Sequence, residues 1–114
     1  MTAPSPEDAY AAIEAEFIGK TQITRSAKKG FAEGGLMTSG KLFAVRRKDD
    51  LLLKLPAGRV EALIATGKGA PFSTGAARTM REWVLAQPQA ADEWPRLARE
   101  AEAFVSGLEA DKAG

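Results

Sequence analysis

The stretch Gly40–Leu55, GKLFAVRRKDDLLLKL, decides how this chain is read. Lys41–Arg47 holds Leu42, Phe43, Ala44 and Val45 in succession. Leu51–Leu55 holds three leucines, then Lys54 and Leu55. The polar link Lys48-Asp49-Asp50 lies between them. Two short apolar runs about an Asp-rich link predict a β-hairpin. Its strands do not alternate cleanly. Both faces carry apolar side chains, whereas a sheet covered on one side should show apolar and polar residues in turn. The expectation is that one face, with Phe43, Val45 and Leu52, meets helices and that the other meets a second subunit.

Before the hairpin, Leu36–Thr38 reads as a first strand, turning through Ser39-Gly40, a pair with Gly second that suits a tight turn. Lys20–Gly35 reads as a basic loop with an irregular extended start. Further back, Ser5 is an N-cap, Pro6 takes the first helical position, and Glu7 and Asp8 fill the first turn. Tyr10, Ile13 and Phe17 recur at helical spacing up to Gly19, which ends the helix.

After the hairpin, Pro56 stops the strand. Arg59–Ile64 predicts a short helix with Val60, Leu63 and Ile64 inward, ended by Gly67. Gly67–Ala77 is rich in glycine and small residues and reads as a loop anchored by Phe72. Thr79–Ala86 alternates, with Met80, Glu82 and Val84 on one side and Arg81, Trp83 and Leu85 on the other, so it reads as a strand ended by Pro88. Asp92 is the expected cap of the last helix, with Pro95 in its first turn. Trp94, Leu97, Ala98, Ala101, Phe104, Val105 and Leu108 form one helical stripe, and Glu109–Gly114 should fray. The order predicts an α+β domain: a small antiparallel sheet of three or four strands flanked by N- and C-terminal helices.

Composition bounds the chemistry. The 114 residues suit one domain over residues 1–114, with an ordered core of about 5–108. Net charge is +1, too balanced for strong nonspecific binding to nucleic acid, though a local basic patch is compatible with it. There is no cysteine and no histidine. Disulfides, thiolate nucleophiles and serine–histidine schemes are therefore excluded within the chain. Carboxylate acid–base work and carboxylate Mg²⁺ sites stay open. The opening MTAPSPEDAY is acidic without an apolar core, unlike a secretory signal. No run approaches the roughly 18 apolar residues of a membrane span. The expected location is cytoplasmic, without membrane contact.

The short motifs have structural readings. Gly19-Lys20-Thr21 would need a glycine at position 14 to be a phosphate loop, and Glu14 stands there. Gly67-Lys68-Gly69 would need a glycine at 72 to be a dinucleotide turn, and Phe72 stands there. Both read as helix C-caps. Asp49-Asp50 and Glu82 are possible Mg²⁺ ligands, but adjacent acids on a turn are commonly turn formers. Two basic clusters, Lys20/Arg25/Lys28/Lys29 and Arg46/Arg47/Lys48, could meet phosphates. Glycines beside the first leave backbone N–H groups accessible to an anion.

As an ordered series, Gly40, Lys41, Phe43 and Ala44, then Lys54, Leu55 and Arg59, then Gly67, Phe72, Arg81 and Trp83 resemble the N-terminal domain of the TfoX/Sxy competence regulators. They are also similar to the neighbouring MmcQ/YjbR group. The resemblance spans roughly Phe31 to Val105. It implies a secretion-chaperone-like α+β fold and a regulatory or DNA-binding role. It transfers no catalytic residue, and nothing that belongs to the second, C-terminal domain of full-length TfoX proteins.

The expected function is that of a non-enzymatic, homodimeric, partner-binding regulatory domain with no cofactor or metal. Nucleic acid is one partner class, contacted by Lys28, Lys29, Arg46 and Arg47, with Lys41 and Arg81 as further candidates. The alternative is a protein–protein interaction module without DNA contact. A third reading is a small-ligand-binding protein or carboxylate-based enzyme, which would need a concave pocket.

Overall fold

Among the described residues, six antiparallel strands and three α-helices build the domain, in the order α1 (Pro6–Phe17), β1 (Ile23–Arg25), β2 (Leu36–Thr38), β3 (Lys41–Arg47), β4 (Asp50–Lys54), α2 (Ala57–Ala65), β5 (Gly69–Ser73), β6 (Thr79–Ala86) and α3 (Trp94–Ala113). The computed structural model describes residues 4–26, 34–73 and 79–113, and side chains within 4–26, 34–72 and 81–107. The sheet order is β1-β2-β3-β4-β6-β5. The first four strands are sequential neighbours. After β4 the chain crosses through α2 to the far edge and returns by β6 to lie beside β4. The α+β class and the antiparallel sheet are as the sequence predicts. The strand count is larger because Gly69–Ser73, read as a loop, and Ile23–Arg25, in the irregular extended start of another, are strands.

The two unforeseen strands share a cause. The three residues Ile23–Arg25 pair with β2, and Gly69–Ser73 pairs with β6. Both are edge strands, so each needs only one partner and little local propensity. Pro71 is tolerated in β5 because an edge residue need not donate to a second neighbour.

The local signals of the helices are mostly realised. The Ser5 hydroxyl accepts from the Asp8 backbone N–H at 3.1 Å. Gly19 and Gly67 follow the caps of α1 and α2 at φ of 107° and 78°. Helix α2 begins at Ala57, two residues earlier than expected. Its Val60 and Leu63 are buried, but Ile64 is 38% exposed instead of facing inward. Asp92 is not the cap of α3: it lies inside a 3-10 helix, Pro88–Glu93, that leads directly into Trp94. The α3 stripe from Trp94 to Val105 is buried apart from the half-buried Phe104, and the helix continues to Ala113. Buried Trp94 donates its indole N–H to the Gln87 carbonyl at 3.1 Å.

Turn chemistry sets the register. Ser39 and Gly40 both have positive φ, 51° and 83°, which matches the twist of the flanking strands. The second hairpin turns on Lys48 and Asp49 alone, since Arg47 pairs with Asp50. Lys48 has a φ of 57°, a left-handed position that usually falls to glycine. Its carbonyl accepts from Arg46 Nε at 2.9 Å.

The awkward pattern of β3 is explained by a β-bulge. Leu36 pairs with Ala44 and Met37 with Leu42, so Phe43 is an extra residue. Alternation resets there. Phe43 and Ala44 both join the core beneath the helices, while Leu42 and Val45 both belong to the opposite face. The expectation that Phe43, Val45 and Leu52 share a face is therefore corrected: Phe43 faces the helices, and Val45 and Leu52 do not. On the helix side one row crosses five strands, Leu36, Ala44, Leu53, Val84 and Pro71. On the other side Val45, Leu52, Leu85 and Ala70 form a row across four.

Among the described residues, all three α-helices supply the first core and none supplies the second. Phe17 and Phe43 meet edge-to-face at 5.2 Å between centroids, tying α1 to the bulge. Ion pairs stitch the helix layer. Arg59 bridges α2 to Glu100 at 2.9 Å, and Arg99 bridges α3 to Glu16 of α1 at 2.8 Å. The buried Thr38 hydroxyl donates to Glu102 at 2.8 Å, tying β2 to α3.

Candidate functional site

Two concave features lie at different places on this frame. The first is a groove at the turn end of the β3–β4 hairpin, where α1 and β1 approach. Its walls are Tyr10 and Glu14 of α1, Arg25 of β1, the Gly34 backbone, and Arg46 and Lys48. It is broad and open, with a volume of about 460 Å³. Among the described residues, three cations face one carboxylate there. Arg25 is held by Glu14 at 2.6 Å and also donates to the Gly34 carbonyl at 3.3 Å. The Tyr10 hydroxyl donates to the same carbonyl at 3.3 Å. Burial pushes the Tyr10 phenol up to about 12, and the nearby Glu14 carboxylate adds to the shift.

The second feature is a half-open cleft of about 190 Å³ between α2 and the β5–β6 hairpin. Val60, Ile64, Pro71 and Trp83 form its apolar walls, with Glu61 and Arg81 also lining it. It opens where β5 and β6 fall out of step, for Pro71 pairs with Val84 but Ser73 with Thr79. Exposed Ile64, misplaced by helical periodicity, is part of this wall.

The four candidate anion contacts among the described residues do not form one cluster. Lys28 and Lys29 lie outside the described residues. Arg46 lines the groove. Its neighbour Arg47 lies over the Phe72 ring, 5.5 Å from its centroid, in the helix-free layer of the sheet. Lys41 is exposed at the opposite end of β3. Arg81 lines the cleft. The structure instead unites Arg25 of one basic run with Arg46 and Lys48 of the other. Tyr10 and Glu14 were missed as partners of these cations. Their only sequence signal is a four-residue spacing that places them on one face of α1.

Among the described residues, no group of three acidic side chains is placed to hold a metal ion. Burial, and secondarily the Asp49 charge, push the Asp50 carboxyl above its usual range. No helix among the described residues is long and apolar enough to cross a membrane.

The helix-free face is apolar at its centre and cationic above it. Val45, Leu52 and Phe72 are buried, with half-buried Leu42, Trp83 and Leu85 around them. Arg47 covers Phe72, and Lys54 lies over Trp83 at 5.6 Å. Long cationic side chains laid over rings exclude water from apolar surface while their charges stay solvated. No family model matches the chain, and neither the curated proteins nor the solved structures provide a significant match.

Proposed function

We propose that this chain is a non-enzymatic binding domain, akin to TfoX N-terminal domains, that takes a polyanionic partner, nucleic acid, in the groove between α1 and the β3–β4 turn. The observation that carries this reading is the convergence of Arg25, Arg46 and Lys48 on one open concavity from separate parts of the chain. Such a surface suits phosphates, which need positive charge and access more than shape. Arg46 and Lys48 make no ion pair among the described residues, so their charges are available. Anisotropy of a labelled oligonucleotide, titrated across salt, tests this. Three phosphate contacts give a log–log slope of about −3, and Arg46→Ala reduces its magnitude by about one. Absence of binding at low salt refutes the reading.

A second reading is favoured by the helix-free face. Leu42, Trp83 and Leu85 are half-buried there with no helix above them among the described residues. This supports a homodimer in which two such faces meet, since a twofold interface buries one patch twice. Light scattering that returns the monomer mass at high concentration refutes it.

A further inference from the structure

The cleft between α2 and β5–β6 has features that the anion groove does not explain. Its walls are largely apolar, yet it carries one charge of each sign. Glu61 and Arg81 line the same space without forming an ion pair, and neither has a hydrogen-bond partner among the described residues. Ile64 is one of only two large hydrophobic side chains exposed among the described residues, and it faces this space. The irregular pairing after Pro71 places Arg81 and Trp83 opposite a break in the ladder, where bulges commonly re-aim side chains.

We propose that this cleft binds a free apolar amino acid. Its side chain rests on Ile64, Pro71 and Trp83, its carboxylate meets Arg81, and its ammonium meets Glu61. Size and charge lead to this ligand class. The cleft, at about 190 Å³, is well below the roughly 300–1,000 Å³ of sites for larger molecules. It exceeds the roughly 150 Å³ that accommodates benzene, so one branched or monocyclic side chain fits. A simple carboxylic acid would satisfy Arg81 but face the like charge of Glu61. A simple amine would do the reverse. A peptide terminus brings only one of the two charges. A zwitterion answers both, and a guanidinium–carboxylate contact is suited to bidentate geometry. Lys54 over Trp83 holds one side of that ring and so helps fix the wall.

The test is an NMR titration of the isotope-labelled full chain with L-leucine, L-valine and L-phenylalanine. At least one should give saturable shifts in α2 and at Arg81–Trp83, with a dissociation constant of about 1 mM or tighter. Both charged residues are exposed, so Arg81→Gln and Glu61→Gln should fold, and each should weaken binding about tenfold. Isocaproate (leucine without its ammonium) and isoamylamine (leucine without its carboxylate) should also bind about tenfold more weakly than leucine. Isocaproate binding as tightly as leucine, or Glu61→Gln without effect, overturns the amino-acid assignment. No saturable shift with any of the three amino acids overturns the site. Neither result bears on the groove, whose cations lie elsewhere.

Discussion

Leu42 and Phe43 are consecutive residues on one strand, and they end in different worlds. Phe43 is fully buried under α1 and α3, ring against Phe17. Leu42 points the other way and is half-buried in a layer made, among the described residues, of strand residues and the cations laid over them. The two faces of the sheet are thus apolar for different reasons. One is a core in the ordinary sense. The other is a smaller apolar patch partly roofed by Arg47 and Lys54. An apolar strand residue is therefore not evidence of a helix above it. The bulge at Phe43 lets one strand supply two consecutive residues to the helix side without losing register.

Paired truncations put the largest effect on this contrast. Phe43→Ala should cost about 3–5 kcal/mol, because a fully buried ring leaves a cavity between two layers. Leu42→Ala should cost less, about 1–2 kcal/mol, since its side chain is only partly buried. Urea denaturation of both variants measures the difference. Equal costs would mean that something beyond this chain covers the helix-free face.

The glycines Gly69 and Gly35 test packing on the two faces in the opposite sense. A methyl group on Gly69 would meet Val84 Cγ2 at 2.6 Å and Leu63 Cβ at 3.2 Å, both in stiff, buried surroundings. On Gly35 it would meet Leu42 Cδ1 at 2.6 Å, the end of a side chain that can swing, with Val45 Cβ at 3.0 Å and the Ala44 carbonyl oxygen at 3.1 Å. Gly69→Ala should therefore cost about 2–3 kcal/mol and Gly35→Ala about 1–2 kcal/mol. Thermal midpoints that rank the two the other way would show that the helix-free layer is the more rigid one.

Tyr10, the only tyrosine, reports on where α1 meets the hairpin end of the sheet. Its phenol is raised to about 12 in the fold, against 10.0 ordinarily. The unfolded chain therefore loses this proton first. The contribution is constant below pH 10.0 and stability falls between pH 10.0 and about 12. Ultraviolet titration of the phenolate should show the high midpoint. Glu14→Gln should lower it, leaving burial as the main cause.

The smallest effect concerns Lys48. Glycine at this left-handed position should stabilise the chain by about 0.5–1 kcal/mol through relief of backbone strain. Lys48→Gly should at the same time weaken anion binding in the groove. A variant that gains stability and keeps its anion affinity would remove Lys48 from the site.

Much of this could be read from short windows. Ser5, Gly19 and Gly67 mark helix ends, and Ser39-Gly40 marks a turn, because caps and turns depend on residues a few positions apart. The stripe from Trp94 to Val105 is legible for the same reason. Asp92 misled because a 3-10 turn ahead of Trp94 already supplies the helix start. The strand Gly69–Ser73 was not legible, for glycine and proline are poor strand formers, and β6 supplies the pairing. The sites were least legible. Arg25 and Arg46 lie far apart in the chain, and only strand order brings them to one groove.

Taken alone, the sequence determined the α+β class, the helix limits set by caps, the central hairpin and the absence of histidine and cysteine chemistry. These follow from local periodicity and composition. The tertiary structure alone decided which side of each strand is core, because a bulge opposite Leu36 and Met37 reverses the alternation read along the chain. It also decided which cations share a groove and where β5 parts from β6 to leave a cleft. Those outcomes depend on pairing between distant segments, which no window of neighbouring residues contains.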